Sequence, residues 1–198
     1  FVRRYGRRSS SSSSTSSSSS STPDRAVECL GIDYVEFTIP PGAARRIATF
    51  YEGVFDATAS VLLDGDDAIA LIGVGRVDPE TGRASQTILY RETTTTTATD
   101  EEGVGDDVIV PPYDGHHIAL YVGRSGEDFE RAFENCDLAG AVWTNPRFRD
   151  EVTDLEGARE EGQFRFKDLM DLRTGRTVFE LEHEIRSVEH DSWPGRKE

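Results

Sequence analysis

Two stretches of this chain repeat one pattern, a short alternating strand followed by an amphipathic helix, and that repeat limits the folds open to it. In Gly115-His116-His117-Ile118-Ala119-Leu120-Tyr121-Val122, the apolar Ile118, Leu120 and Val122 alternate with His117, Ala119 and Tyr121, the period-two signature of a strand with one packed face. Ser125-Gly126-Glu127-Asp128 then reads as an N-terminal capping box, and Phe129, Ala132, Phe133 and Cys136 take the i, i+3, i+4, i+7 spacing of a helix stripe. Earlier, Val35, Phe37 and Ile39 alternate with Tyr34, Glu36 and Thr38, and after a Pro-Pro-Gly turn Ile47, Phe50, Tyr51 and Val54 repeat the helical spacing. Two copies of one supersecondary module are expected. The register sends Tyr34 and Glu36 off the packed face in the first copy, and His117 and Tyr121 in the second.

The remaining signals extend each copy with hairpins. Thr58 to Leu63 and Ala68 to Val74 flank Asp64-Gly65-Asp66-Asp67, a strong hairpin signal. Its carboxylates lack the downstream Glu that a calcium loop requires, so a turn is expected. Gly73-Val74-Gly75 is only a fragment of a phosphate loop and also reads as a turn. Gln86 to Arg91 gives a further strand, and the Thr-rich then acidic stretch from Thr93, closed by Pro111-Pro112, reads as a linker. After the second strand and helix come a short strand at Ala141 to Thr144, a long polar loop from Arg147 to Glu161, and strands at Gln163 to Leu169 and Thr177 to Ile185. The expected fold class is therefore α+β, a β-α-β-β-β module used twice. Module one covers 31–92, a linker 93–112 and module two 113–187, within a domain over 26–188 and before a tail over 189–198.

Composition bounds what such a domain can do. Residues 1–25 form an Arg/Ser-rich leader with no acid before Asp24, so no core is expected there. Such a segment reads equally as a plain disordered leader or as an organelle transit peptide, which places the protein in the cytoplasm or in a plastid or mitochondrion. The whole chain carries a net charge of −15, from 37 acidic and 22 basic residues, and four of the arginines lie in Phe1 to Arg8. Nucleic acid is not expected as a partner for such a surface. No stretch is apolar and long enough to span a membrane. Cys29 and Cys136 read as isolated buried thiols without disulfide or zinc spacing.

The last strand adds three carboxylates. Phe179, Leu181 and Ile185 alternate with Glu180, Glu182 and Glu184, so the acids share one face. On an exposed edge strand such acids discourage aggregation, and for Glu182 and Glu184 that reading stands level with a cavity role; Glu180 is expected in a cavity. His183 falls on the packed side, and His116 points away from His117.

The His117 to Val122 strand, the helix-borne Phe50-Tyr51 pair, and Asp171 through Gly175 running into Phe179-Glu180-Leu181 together resemble the vicinal oxygen chelate superfamily, which includes glyoxalase I, extradiol dioxygenases and bleomycin-resistance-like proteins. The resemblance covers most of Gly31 to Arg186. It implies paired modules forming a curved mixed sheet with helices on the convex face, and a concave face that binds a divalent metal and a small molecule. His117 matches the histidine that opens the family's second module, and Glu180 matches the glutamate of its final strand. The first module departs from the pattern: Tyr34 stands where the family carries histidine, Gln86, Leu89 or Tyr90 falls near its expected acid, and Glu36 is the substitute oxygen ligand.

One histidine is too few for the two-histidine, one-carboxylate iron site of ring-cleaving oxygenases. A set of His117, Glu180 and Glu36 would instead be an oxygen-rich site for one divalent ion, drawn from Mn, Mg, Zn, Ni or Fe. With such an ion as Lewis acid, Glu36 or Glu182 would move a proton on a small carbonyl compound in a lyase or isomerase reaction. The metal-free alternative stands level with this: a cavity lined by Tyr34, Tyr121, Phe164 and Phe166 that sequesters a small molecule without catalysis. A third reading is a scaffold protein with a vestigial cavity. A homodimer is compatible with each, because modules of this superfamily pair within one chain or between two.

Overall fold

The computed structural model describes residues 32–65, 67–93, 108–149 and 151–192. The leader, Cys29, Asp66, the centre of the linker and the end of the tail lie outside the described residues. Module one contains β1 (Tyr34–Ile39), α1 (Ala44–Phe55), β2 (Ala59–Asp64), β3 (Asp67–Val77) and β4 (Ala84–Glu92). Its strands lie in the order β1-β4-β3-β2, antiparallel along the two hairpins and parallel where β4 returns beside β1. Module two contains β5 (His117–Val122), α2 (Gly126–Leu138), α3 (Leu155–Glu161), β6 (Gln163–Asp171) and β7 (Arg176–Ser187). Its order is β5-β7-β6, again with the last strand parallel to the first. The short strand expected at Ala141 to Thr144 is reduced to one antiparallel bridge, Val142 to Phe166, at the position β2 holds in module one.

Both helix stripes predicted from spacing are buried as expected. Ile47, Phe50, Tyr51 and Val54 of α1, and Phe129, Ala132, Phe133 and Cys136 of α2, all lie in the core. The N-terminus of α1 has no side-chain cap of its own; Glu92, the last residue of β4, accepts the Ala44 N–H at 2.8 Å. Ser125 occupies the N-cap of α2 without making the capping hydrogen bond, whereas Asp128 reaches back to the Arg124 N–H at 2.8 Å. The stretch expected as loop up to Glu161 contains α3, capped by Asp154 on the Gly157 N–H at 2.8 Å and closed by left-handed Gly162. Seven residues give too few turns for a hydrophobic period, which is why the pattern did not announce it.

The modules meet through α1. Its Tyr51 contacts Tyr90 of β4 and His183 of β7, while its Phe50 and Phe55 pack on Phe166 of β6. Tyr90 also meets Phe179 of β7 edge-on. One core thus joins the inward faces of two mixed sheets of four and three strands, and the other face of each sheet turns away from it. Truncating a side chain at the centre of such a core, Phe166 for example, typically costs about 3–5 kcal/mol.

Candidate functional site

The seam between modules is polar at its centre. The Tyr51 hydroxyl lies 2.6 Å from the Tyr90 hydroxyl and 2.5 Å from His183 Nε2, and His183 Nδ1 lies 2.7 Å from the Leu181 carbonyl. With no exposed surface and its ring stacked on Phe166 at 4.2 Å, His183 is a core residue as its strand position predicted. Desolvation by burial pushes its pKa down to about 3, so the imidazole is neutral across the physiological range. Burial likewise pushes the Tyr51 and Tyr90 phenols above their usual range.

The outer face of module two is where the candidate residues gather. β7 is the central strand of its sheet, so the edge-strand reading of its acids does not hold. The parallel register sets His117 beside Glu182 and Tyr121 beside Arg186. In the antiparallel register Phe164 pairs with Ile185 and Phe166 with His183, both inward. Phe164 and Phe166 are therefore core residues packed under α1 and α2, not lining of an open cavity, and Arg165 and Lys167 take the outer face in their place.

That substitution changes the chemistry of the face. Arg165 bonds Glu182 Oε1 and Glu184 Oε2, each at 2.8 Å, and all three residues are buried. Glu182 Oε2 also accepts from the Tyr113 hydroxyl at 2.6 Å and from Asn145 Nδ2 at 2.8 Å. Only 1% of Glu182 is exposed and its carboxylate already accepts three donors, so it offers no open approach to a metal or a proton. A strand irregularity between Phe166 and Asp168 aims the Lys167 ammonium at both Asp168 and Glu180. Partial burial opposes that charge, yet the two carboxylates hold Lys167 above its ordinary pKa. Glu180 accepts the Tyr113 N–H as well, at 2.9 Å, and Glu184 pairs with Arg186, which also bonds the Tyr121 hydroxyl at 3.3 Å. Burial first, and then the Glu182 carboxylate, push the Tyr113 phenol up to about 12. Phe148 completes the cover by lying 4.3 Å from the Arg165 guanidinium carbon, a cation–π contact.

The outer face of module one is different. Tyr34 and Glu36 lie on it, as predicted, and Glu36 pairs with Arg91 at 3.3 Å, which in turn bonds Asp64 at 2.8 Å. The register puts Leu62, Ile69, Leu71 and Leu89 on the same face, with 53% of Leu62 exposed. Glu36 thus lies on the outer face of module one's sheet, paired with Arg91, and His117 and Glu180 lie on the outer face of module two's, where Glu180 is paired with Lys167. His117 is exposed on β5, an edge strand. Among the described residues no three of His, Cys, Asp and Glu come together as a metal would require. The donors also fit a divalent ion poorly, since Arg165, Lys167 and Arg91 already neutralise the carboxylates that would bind it.

Sequence reasoning missed Tyr113, Asn145, Arg165 and Lys167. The last two were legible in principle, because they alternate with Phe164 and Phe166 and must face the acids once those rings face the core. Tyr113 and Asn145 come from irregular segments whose fold no periodicity reports.

Two modules, each with its last strand returning parallel beside its first, joined through one helix-lined core, define the architecture. This is the paired-module arrangement that the resemblance to the vicinal oxygen chelate superfamily implies. Solved structures similar to the chain include the fosfomycin resistance protein of Listeria monocytogenes in complex with Mn(II) and 1S,2S-dihydroxypropylphosphonic acid, at 12% identity and a TM-score of 0.46 over 86% of this chain and 100% of that one. A possible glyoxalase from Bacillus cereus is similar at 14% identity and a TM-score of 0.42, over 80% and 99% of the two chains. Lactoylglutathione lyase from Agrobacterium tumefaciens is similar at 12% identity and 0.42, over 80% and 94%. No family model and no curated protein matches the chain. Fold alone does not carry function, so the activity must be argued from the site.

Proposed function

We propose that this vicinal-oxygen-chelate-like chain is a metal-free module that binds and sequesters a small molecule, working as a homodimer, and is not a metal-assisted lyase or isomerase. The observation that carries the reading is the closure of Glu182 by Arg165, Tyr113 and Asn145, with the neighbouring Glu180 and Glu184 held by Lys167, Arg165 and Arg186. A carboxylate buried with three donors can neither ligate an ion nor act as a general base without disturbing those contacts. What remains accessible near it is His117 on the edge strand and the half-buried Tyr121, groups suited to hydrogen bonding and stacking on a small ligand. The second copy would supply the opposing wall, against the apolar strip of Leu62, Leu71 and Leu89 on the outer face of module one.

Thermal-shift screening of small carbonyl, acid and amine compounds in the presence of EDTA, with light scattering for mass, tests this. The expected result is a dimer stabilised by a chelator-insensitive ligand whose effect is lost in Tyr121→Ala. Turnover of a carbonyl substrate that requires an added divalent ion would overturn it.

A further inference from the structure

One cation beside the outer face of module two is not committed to a carboxylate. Arg165, Lys167 and Arg186 are ion-paired there, whereas Arg147, on the segment that covers the face, makes no ion pair among the described residues. Its backbone is fixed. The Arg147 N–H donates to Asn145 Oδ1 at 3.0 Å, the Phe148 N–H donates to the Asn145 carbonyl at 3.0 Å, and Asn145 is itself buried against Glu182. The guanidinium reaches the start of β5, where a β-carbon on Gly115 would lie 3.4 Å from Arg147 Nη1, and Gly115 sits at φ 89°, in the left-handed region that favours glycine. The adjacent carboxylate, Asp114, is turned to His116 Nδ1 at 2.6 Å. Two residues after Gly115, His117 opens a row on the outer face: His117, Ala119 and Tyr121 project at alternate positions, and the small, exposed Ala119 leaves a gap between an imidazole and a phenol ring. That row spans about 13 Å, at about 3.3 Å per residue.

We infer that the small molecule sequestered on this face is an elongated organic monocarboxylate, its carboxylate held by Arg147 and His117 and its apolar body lying over Ala119 against Tyr121. This rests on the binding function proposed above and names the class of its ligand. A guanidinium fork matches a carboxylate with two parallel bonds, and an N–H of the His117 ring supplies a further donor. Glu180, Glu182 and Glu184 each have a cationic partner already, which lessens their repulsion of an anion. The gap at Ala119 gives an apolar body somewhere to lie, with the Tyr121 ring at its far end.

Calorimetric titration of the full chain in metal-free buffer at constant ionic strength, with hydrocinnamate and with its neutral amide, hydrocinnamamide, reads the site. The acid is expected to bind saturably and about tenfold more tightly than the amide, the worth of one charge-assisted contact. Arg147→Gln should weaken the acid to the level of the amide and leave the amide unchanged, a split that loss of fold would not produce. Arg45→Gln is the control: it removes the same charge from the exposed side of α1, in module one, and should leave the preference intact. Arg147 is exposed and ties its turn through its N–H, so the variant should fold, and a circular-dichroism melt checks this. No saturable binding of either compound, an amide as tight as the acid, a preference that survives Arg147→Gln, or an equal loss in Arg45→Gln would each overturn the inference. An amide bound as tightly as the acid would still leave the sequestering function standing, whereas turnover that requires an added divalent ion overturns that function itself.

Discussion

The two modules share a topology and differ in the chemistry of their outward faces. In module one that face is a strip of leucine and isoleucine with a single shallow ion-pair chain, Glu36 to Arg91 to Asp64, and Asp64 is 69% exposed. In module two it is a lattice in which buried Arg165, Glu182 and Glu184 interlock with half-buried Glu180, Lys167 and Arg186, covered by Tyr113, Asn145 and Phe148. Inward positions repeat because both copies pack on the same α1-centred core. Outward positions are free to diverge, and it is there that a metal site would have to be written.

The contrast predicts unequal costs for like substitutions. Arg165→Met leaves Glu182 and Glu184 buried without their shared cation and should destabilise the fold by about 3–5 kcal/mol, read from the urea midpoint. Arg91→Met, in the exposed chain of module one, should cost under about 1 kcal/mol. Equal costs would erase the distinction between the faces. At the seam, Tyr51→Phe strands the Tyr90 hydroxyl and His183 Nε2 and should cost about 1–3 kcal/mol, although it touches neither outer face.

A smaller, graded effect comes from pH. The folded pKa of His183 lies near 3, below the 6.5 of an exposed imidazole, so on acidification the unfolded chain takes up the proton first. Stability from this residue is complete above pH 6.5 and is lost as the pH falls toward 3. The slope approaches about 1.4 kcal/mol per pH unit within that window, measured by denaturant titration at stepped pH. His183→Gln should flatten that component, while His117→Gln, on the exposed edge, should not.

Much of the fold was legible because its signals are local and periodic. The strand alternations at 34–39 and 117–122, both helix stripes and the β2–β3 hairpin are realised in the elements observed. The candidate site was less legible, and Phe164 and Phe166 show why. Period two says that Phe164 and Arg165 take opposite faces but not which face is which; the pairing of Phe166 with His183 settles it, and sequence spacing does not give that partner. Glu180 and Glu182 were correctly placed on the face away from Leu181, yet their role depends on cations from β6 and on hydrogen bonds from the segments at Tyr113 and Asn145, all distant in sequence. Glu36 and His117 each lie on the face predicted, but whether two faces converge is decided by how the modules pack.

The central claim is that cations and hydrogen bonds within the chain have taken the place of a metal on module two. Metal content by mass spectrometry, on untagged protein incubated with Mn²⁺, Zn²⁺, Ni²⁺ and Fe²⁺ and then desalted, tests it most directly. Substoichiometric metal, unchanged in His117→Ala and Glu180→Ala, is the predicted result. One ion per chain that disappears in both variants would contradict it.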